Sequence, residues 1–272
     1  MSLPNRVRLG AVGYLNARPL VYGLDLAPRF AVRYDVPAEC ARLLHGGAID
    51  VGLIPSIEYL RGGPYRLVPD LAIASRGPVA SVALYTTRPM ADVRSIALDT
   101  SSRTSVALVS VLCARLFRID PVLEARGPDL SVMLAQCDAA LIIGDNALLL
   151  DHTKSAIGNQ PSGIEKVDLG EAWTTMTGLP FVYAFWAGRP DAVTAGDVEA
   201  LQRARNAGVT EADAIAREYF PDSPVRQAVG TRYLQDNIKY HLRDEERAGL
   251  EAFYRYAAEA GVVSNAGALR FY

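Results

Sequence analysis

The first part of the chain alternates short apolar runs with stretches in which apolar residues recur every three or four positions. Short apolar runs bounded by Gly, Pro or Asp are typical of buried strands, and the longer spacing is typical of helices packed on a sheet. The predicted strands are VRLGAVG, FAVRYDV and DVGLI, and the helices between them are NARPLVYGL and PAECARLLHGG. This order indicates βαβ units and a mainly parallel sheet.

A second run of the same kind begins after VALYTT and the dipeptide Arg88-Pro89. Its predicted strands are SIALD, PVLEA and AALIIG, and its predicted helices are SRTSVALVSVLCARLF and LSVMLAQ. The strand FVYAFWAG closes this second unit. Three amphipathic segments then follow, which we expect to pack on the first unit: DVEALQRARNAG, EADAIAREYF and EERAGLEAFYRYAAEAG.

This order predicts an α/β protein with two lobes, in which VALYTT leaves the first lobe and FVYAFWAG returns to it. We assign residues 1–88 and 187–272 to lobe 1 and residues 89–186 to lobe 2, with a ligand cleft between them. Two hinge crossings allow closure around a small ligand, as in periplasmic binding proteins. The expected architecture is therefore a Venus-flytrap fold.

Composition narrows the class of protein. Half of the 272 residues are apolar, which allows a large core, and the formal charge is only −2 with acids and bases well mixed. No basic stripe suggests a nucleic acid as partner. The sequence has neither a charged and apolar leader nor an apolar run of about 18–20 residues, so we expect a cytoplasmic protein without membrane contact.

The cysteines and histidines do not predict a metal site. The three cysteines are widely spaced and have no His at ligand spacing, so neither a disulfide framework nor a set of metal ligands is expected. His45 ends a predicted helix, whereas His152 and His241 lie among polar neighbours. We interpret all three as structural or exposed, although a pKa near neutrality keeps catalysis open for each.

Three polar segments follow predicted strands, at the points where those strands give way to helices or turns. They are Gly13-Tyr14-Leu15-Asn16 with Pro19 after it, Ile54-Pro55-Ser56-Ile57-Glu58-Tyr59, and Ser101-Ser102-Arg103-Thr104-Ser105. In open α/β sheets, ligands bind beyond the carboxyl ends of the strands. We therefore expect the three segments to converge on one pocket.

The serine-rich segment has the strongest chemical signal. Ser101 or Ser102 is placed to cap the helix that starts near Arg103, and a helix start with free N–H groups binds anions. Arg103, Thr104 and Ser105 would add side-chain donors for a carboxylate or phosphate. The alternative is a plain helix cap beside a solvated arginine, but polar residues at positions 104 and 105 favour a ligand.

The other candidates each have a structural alternative. Asn16 either contacts a ligand or caps the next helix, and Glu58 either stabilises a helix start or points into the cleft. Gly144 permits close approach of the backbone to a ligand, and Asp145 is either a ligand contact or a helix cap. Aromatic faces and hydroxyls near the return crossing are supplied by Trp173, Thr174, Thr175, Thr177 and Phe181.

Five segments, in order along the chain, resemble one family. GAVGYLNARPL, DVGLIPSIEYL, LDTSSRTSVAL, ALIIGDNAL and DLGEAWTTMTGLPFVYAFWA are similar to the MqnA branch of the MqnA/MqnD family of menaquinone biosynthesis. The resemblance runs from about Val7 to Ala187 and implies a fold like that of type II periplasmic binding proteins, used as an enzyme. It implies a chorismate dehydratase, which converts chorismate to 3-[(1-carboxyvinyl)oxy]benzoate and water in the futalosine pathway.

Two other functions stay open. Members of the sister branch, MqnD, cleave cyclic dehypoxanthine futalosine and carry a His as base near the strand end occupied here by Gly144 and Asp145. The absence of His at that strand end favours the dehydratase. The alternatives are an MqnD-type lyase and a non-catalytic protein that binds a small anion.

Dehydration of chorismate requires particular chemical groups in the pocket. Chorismate is a small dianion, so a pocket for it needs hydrogen-bond donors at two carboxylates. Dehydration removes a ring proton and the neighbouring hydroxyl, and hydrogen bonds to the ring carboxylate would stabilise a carbanion-like transition state. The base stays open among Glu58, Asp145 and a carboxylate of the substrate. We expect no cofactor and no metal, and we leave a homodimer open.

These arguments assign roles to named residues. We predict catalytic roles for Asn16, Ser56 and Glu58, with Asn16 holding a substrate carboxylate or the departing hydroxyl. Arg18 and Arg103 are the nearest cations for the charge of the substrate. The predicted substrate-binding residues are Tyr14, Ser101, Ser102, Arg103, Thr104, Gly144, Asp145, Thr177 and Phe181.

Overall fold

The structure, a computed structural model, describes residues 6–150 and 164–272, so His152 lies outside the described residues. Two β-sheets form its centre. Their strands are β1 (Val7–Val12), β2 (Phe30–Asp35), β3 (Val51–Pro55), β4 (Arg66–Leu67), β5 (Ile73–Ser75), β6 (Val82–Thr86), β7 (Ser95–Asp99), β8 (Val122–Arg126), β9 (Ala139–Ile143), β10 (Glu165–Asp168) and β11 (Phe181–Gly188).

Helices surround the two sheets. The α-helices are α1 (Arg18–Val21), α2 (Pro37–His45), α3 (Arg103–Leu112), α4 (Leu130–Leu134), α5 (Gly144–Leu150), α6 (Leu169–Thr177), α7 (Ala195–Thr210), α8 (Ala212–Tyr219), α9 (Pro224–Arg232) and α10 (Asp244–Glu259). Short 3₁₀-helices span Leu15–Ala17, Leu24–Leu26, Ser56–Tyr59 and Met90–Asp92, and π-helical turns span Cys113–Phe117 and Tyr233–Asn237. Within the two described ranges, no helix has the length and apolar character needed to cross a bilayer.

The first sheet has six strands in the order β2-β1-β3-β11-β4, with β5 also pairing with β11. β1 pairs in parallel with β2 and β3, so these three strands end at the same edge of the sheet. β11 runs antiparallel to β3, with Ala184 opposite Pro55. The first part of β11 therefore lies beside the carboxyl end of β3.

The second sheet has five strands in the order β10-β6-β9-β7-β8. β7 lies between β8 and β9 and is parallel to both, whereas β6 runs antiparallel to β9 and to β10. Helix α3 follows β7 and helix α5 follows β9. Because β7 and β9 are parallel, both helices start at the same edge of this sheet.

The strand pairing corrects the predicted division between the lobes. The sequence analysis placed VALYTT in lobe 1 and most of FVYAFWAG in lobe 2. β6 instead belongs to the second sheet and β11 to the first, so the chain crosses between Ser75 and Val82 and again between Asp168 and Phe181. Apolar patterning identifies a strand but not its neighbour, and both strands were therefore assigned to the wrong sheet.

The helical C-terminal part packs on the first lobe, as predicted, but it also contacts the second. Helix α7 packs on α1, whereas α10 contacts both β11 and α3. Tyr233 donates a hydrogen bond of 2.6 Å to Ser81 Oγ at the first crossing. Arg115 pairs with Glu259 on α10 and its guanidinium lies 3.7 Å from the ring centroid of Tyr256. The helical C-terminal part therefore joins the two lobes, and within the described residues no strand belongs to both sheets.

Aromatic side chains fill the core near the return crossing. The rings of Trp173 and Phe181 lie 5.2 Å apart between centroids, and that of Phe253 lies 4.9 Å from Phe181. All three are fully buried, and Trp173 Nε1 donates to the backbone oxygen of Pro180 at 3.1 Å. Trp173 is therefore a core residue.

Candidate functional site

A cavity lies between the two sheets, where the carboxyl ends of β1 and β3 face the starts of α3 and α5. Its walls are mostly apolar and include Val12, Ile73, Val82 and Ile143. The polar side chains in its lining are those of Tyr14, Asn16, Ser81, Ser102, Ser105 and Tyr183. An apolar cavity with few polar groups is typical of a small-molecule site.

Asn16 lies in the cavity wall with an unsatisfied oxygen. It belongs to the 3₁₀-helix that follows β1, and its backbone oxygen accepts a hydrogen bond of 3.0 Å from Tyr240. Its Oδ1 atom is buried and has no hydrogen-bond partner among the described residues. A buried carbonyl oxygen without a partner costs free energy, so this atom is positioned to accept a hydrogen bond from a ligand.

The start of α3 supplies the donors on the second lobe. Ser102 is the N-cap residue, and its Oγ accepts a hydrogen bond of 3.4 Å from Ser105 N. Ser101 is not among the described residues that line the cavity, but its Oγ accepts a hydrogen bond of 3.4 Å from Tyr14 across the cleft. The prediction that the segments after β1 and β7 meet is therefore supported by a direct contact.

Ser56 and Thr104 contact each other rather than the cavity. Their hydroxyl oxygens are 3.4 Å apart, and both side chains are fully buried. Ser56 donates to the backbone oxygen of Val182 at 2.8 Å, while Thr104 Oγ1 accepts from Ile57 N at 3.2 Å. Both hydroxyls join the lobes beside the cavity, and neither is among the described residues that line it.

Glu58 is buried in a cluster of cationic groups. Its carboxylate accepts hydrogen bonds of 3.0 Å from His45 Nε2, Arg61 and Arg103. Burial alone would raise the pKa of Glu58, but the hydrogen bonds from His45 and Arg61 and the charge of Arg103 together lower it. Glu58 and Arg103 thus pair with each other across the two lobes, and neither side chain is among the described residues that line the cavity.

The backbone of Gly144 forms part of the cavity wall, where the sequence predicts a close approach of the backbone to a ligand. It has a φ of +64°, and a Cβ atom there would lie 3.0 Å from the ring of Tyr14. The side chain of Asp145 points away from the lining and accepts hydrogen bonds from Leu15 N and Tyr219. Arg18 is held between two rings, 4.8 Å from the centroid of Tyr34 and 5.2 Å from that of Tyr219.

Thr177 and Phe181 lie outside the cavity lining. Thr177 Oγ1 donates to the backbone oxygen of Trp173 at 2.9 Å and accepts from Leu179 N at 3.1 Å, which closes the last turn of α6. Phe181 belongs to the aromatic core. Residues near a hinge can face either the ligand or the core, and the sequence pattern did not distinguish the two.

Two polar lining residues, Ser81 and Tyr183, were missed, whereas Ser105 was predicted as a side-chain donor. Ser81 directly precedes a predicted strand, and Tyr183 lies on a strand that was assigned to the other lobe. The Tyr183 hydroxyl lies 3.0 Å from Ser75 Oγ, and burial raises the pKa of Tyr183 well above its usual value. The position of Ser81 at a lobe crossing was the available signal, because hinge segments border the ligand cleft.

A family model described as menaquinone biosynthesis matches residues 7–259 of the chain. The chain is also 34% identical to the chorismate dehydratase of Thermus thermophilus over 259 residues, which cover 90% of this chain and 93% of that protein. The chain belongs to this menaquinone biosynthesis family. The resemblance noted from the sequence motifs is thus confirmed across the helical C-terminal part as well.

Solved structures confirm the predicted periplasmic-binding-protein-like fold. A protein from Archaeoglobus fulgidus matches with a TM-score of 0.75 at 15% identity, covering 95% of this chain and 98% of that chain. The periplasmic aliphatic sulphonate binding protein SsuA from Escherichia coli matches with a TM-score of 0.62 at 16% identity, covering 96% and 89% of the two chains. A Candida albicans protein described as having the generic periplasmic binding protein fold gives 0.64 at 12% identity, covering 96% and 92%.

Proposed function

We propose that this chain is a chorismate dehydratase, a hydro-lyase that converts chorismate to 3-[(1-carboxyvinyl)oxy]benzoate and water in the futalosine route to menaquinone. The observation that carries the proposal is the 34% identity to the chorismate dehydratase of Thermus thermophilus along nearly the whole of both chains. A cytoplasmic location belongs to the same proposal. The cavity supports the proposal, because mostly apolar walls with a few polar side chains are typical of small-molecule sites.

One carboxylate of the substrate is assigned to the start of α3. Ser102 and Ser105 line the cavity there, and the first turn of a ten-residue helix directs free N–H groups and the positive end of its dipole towards it. If the ring carboxylate binds at this point, the donors neutralise it. Negative charge that develops on the ring when the proton leaves is then stabilised as well.

Asn16 is assigned to the hydroxyl that leaves. Its unpartnered Oδ1 is an acceptor, and a ring hydroxyl is a donor of matching chemistry. The bond orients the hydroxyl for elimination, in which a ring C–H bond and the neighbouring C–O bond break and a ring double bond forms. A base takes the proton, the hydroxyl leaves from the neighbouring carbon as hydroxide, and transfer of the proton from the base to hydroxide gives one water as the ring becomes aromatic.

A carboxylate of the substrate is the favoured base. Glu58 is a weak candidate, because His45 and two guanidinium groups already bind its oxygens and its pKa is lowered. The oxygens of Asp145 are engaged by Leu15 N and Tyr219. In this proposal the protein contributes positioning and electrostatic stabilisation, and the substrate contributes the proton acceptor.

The test is product analysis with two substrates in parallel. Purified protein is mixed with chorismate without added metal or cofactor, and the product is followed by mass and ultraviolet absorbance. A species lighter by one water with an aromatic spectrum is expected. Turnover of cyclic dehypoxanthine futalosine instead would identify an MqnD-type lyase, and saturable binding of chorismate without turnover would identify a binding protein. Either result overturns the proposal.

A further inference from the structure

Asp145 joins the two lobes at the edge of the cavity. It lies in the first turn of α5, which follows the central strand β9 of the second sheet. Its two carboxylate oxygens point to the first lobe, where Oδ1 accepts from Leu15 N at 3.2 Å and Oδ2 accepts from the Tyr219 hydroxyl at 2.5 Å. The carboxylate therefore binds one backbone group and one side chain of the opposite lobe.

Both contacts hold the same short segment, residues 13–16. Leu15 N is the amide that precedes Asn16, and the Tyr219 hydroxyl also lies 3.0 Å from the backbone oxygen of Gly13. The carboxylate and Tyr219 thus contact this segment at both of its ends. Asn16 lies in this segment and lines the cavity, as does Gly144, the residue before Asp145.

The groups that interact with the Asp145 carboxylate belong to the first lobe. The carboxylate is largely removed from solvent, and the cation that faces it is Arg18, held over the ring of Tyr219. The hydroxyls of Tyr14 and Tyr233 are the other titratable groups near it. In an open cleft water would solvate the carboxylate, so its bonds to Leu15 and Tyr219 are specific to the closed arrangement.

We propose that Asp145 is a positioning residue for the dehydration: its carboxylate binds the segment 13–16 across the closed cleft and thereby fixes the carboxamide of Asn16 against the substrate. This inference rests on the proposed function and assigns to Asp145 a role different from the substrate contact predicted from the sequence. The side chain of Asp145 is not among the described residues that line the cavity, so its effect on the reaction passes through Leu15 and Asn16.

The first experiment measures kcat and KM for chorismate in Asp145→Ala, Asp145→Asn and Tyr219→Phe. A carboxamide oxygen can still accept from Leu15 N, so we expect Asp145→Asn to retain more activity than Asp145→Ala. Asp145→Ala is expected to lower kcat by about tenfold or more, and Tyr219→Phe by less, with smaller changes in KM. A kcat for folded Asp145→Ala within about twofold of the wild type would overturn the proposal.

Asp129→Ala is the matched control. Asp129 also lies at a helix start in the second lobe, where it caps α4 through Val132 N at 3.0 Å, but its contact is local and exposed. Both alanine variants lose a carboxylate near a helix start. We expect Asp129→Ala to leave kcat within about twofold of the wild type. An equal fall in kcat for the two variants would mean that general destabilisation explains the effect, which would overturn the proposal.

A second readout needs no substrate and separates this inference from the proposed function. Amide hydrogen exchange is followed for the peptide that contains Leu15 and Asn16. Asp145→Ala is expected to speed exchange there by about tenfold relative to Asp129→Ala, because the Leu15 amide loses its acceptor. Unchanged exchange would overturn the positioning role. If exchange changes but the wild type does not convert chorismate, the proposed function fails and the contact between the lobes stands.

Discussion

The segment after β1 and the segment after β3 both contain residues predicted to be catalytic, but their polar groups have opposite surroundings. After β1, Asn16 faces the cavity with an oxygen that has no partner among the described residues. After β3, Glu58 lies outside the lining and accepts hydrogen bonds from His45, Arg61 and Arg103. The Asn16 oxygen is available to a ligand, whereas the Glu58 carboxylate is already engaged by its three partners.

The difference shows that side chains at the same edge of one sheet can serve two purposes. Asn16 is available to bind a ligand, whereas Glu58 holds the two lobes together. An ionised carboxylate in the cavity would repel a dianionic substrate, whereas the same carboxylate beside the cavity can attract a cation from the other lobe. Glu58 does the latter through Arg103. A neutral carboxamide such as that of Asn16 would not repel such a substrate. The predictions below test this division between the two segments.

The largest effect on stability is expected for Glu58→Gln. The buried carboxylate accepts three charge-assisted hydrogen bonds, and its cationic partners are partly exposed and can be resolvated. We expect the free energy of unfolding to fall by about 2 kcal/mol, as measured by chemical denaturation. An unchanged free energy of unfolding would show that the cluster around Glu58 does not hold the lobes.

The same variant should change the acid sensitivity of the fold. The pKa of Glu58 is lowered from its ordinary value of 4.5, since its hydrogen bonds to His45 and Arg61 and the charge of Arg103 outweigh the effect of burial. The stabilisation by the ionised group is therefore complete above about pH 4.5 and is lost as the pH falls through the lower native pKa. The difference in unfolding free energy between wild type and Glu58→Gln should shrink below pH 4.5. A constant difference would contradict this account.

Thr104→Val, like Glu58→Gln, tests a contact between the lobes beside the cavity, but it removes a neutral group. The Thr104 hydroxyl is the acceptor for the buried Ile57 N, so its loss leaves that amide unpaired. We expect the free energy of unfolding to fall by about 1–2 kcal/mol, with little change in KM. Ser102→Ala is the control from the same helix start, because Ser102 lines the cavity and should instead raise KM for chorismate. A raised KM for Thr104→Val together with a loss of stability for Ser102→Ala would exchange the roles of the two residues.

The smallest effect on stability is expected for Asn16→Leu. A leucine of similar size removes a buried oxygen that has no hydrogen-bond partner in the described structure. The free energy of unfolding should therefore stay within about 0.5 kcal/mol of the wild type or rise. A fall of about 2 kcal/mol or more in a denaturation experiment would mean that Asn16 is a structural residue rather than one kept for the ligand.

The sequence predicted the elements around the site well because their signals are local. The strands that precede Asn16, Ser56 and Ser102 are short apolar runs with polar residues at their carboxyl ends. Parallel pairing aligns the ends of β1 and β3. The N-cap role of Ser102 was likewise visible in the order of residues. The segment after β7 belongs to the second sheet and meets the other two across the cleft.

What the sequence did not predict depends on neighbours distant along the chain. The sheet to which β6 and β11 belong is decided by pairing partners about 60 and 130 residues away in sequence. The orientation of Glu58 towards Arg103 rather than the cavity depends on the same packing. β4, β5 and β10 were missed because they contain only two to four residues each, and α9 because Gly230 is its one buried residue.

The most direct test of the central claim is the rate of chorismate dehydration by Asn16→Leu and Glu58→Gln, measured side by side. Both variants are assayed under conditions in which each is folded by circular dichroism. We expect Asn16→Leu to lower kcat by about 100-fold or more and Glu58→Gln to lower it by less than about tenfold. Equal losses, or a greater loss for Glu58→Gln, would contradict the assignment of the chemistry to the Asn16 segment.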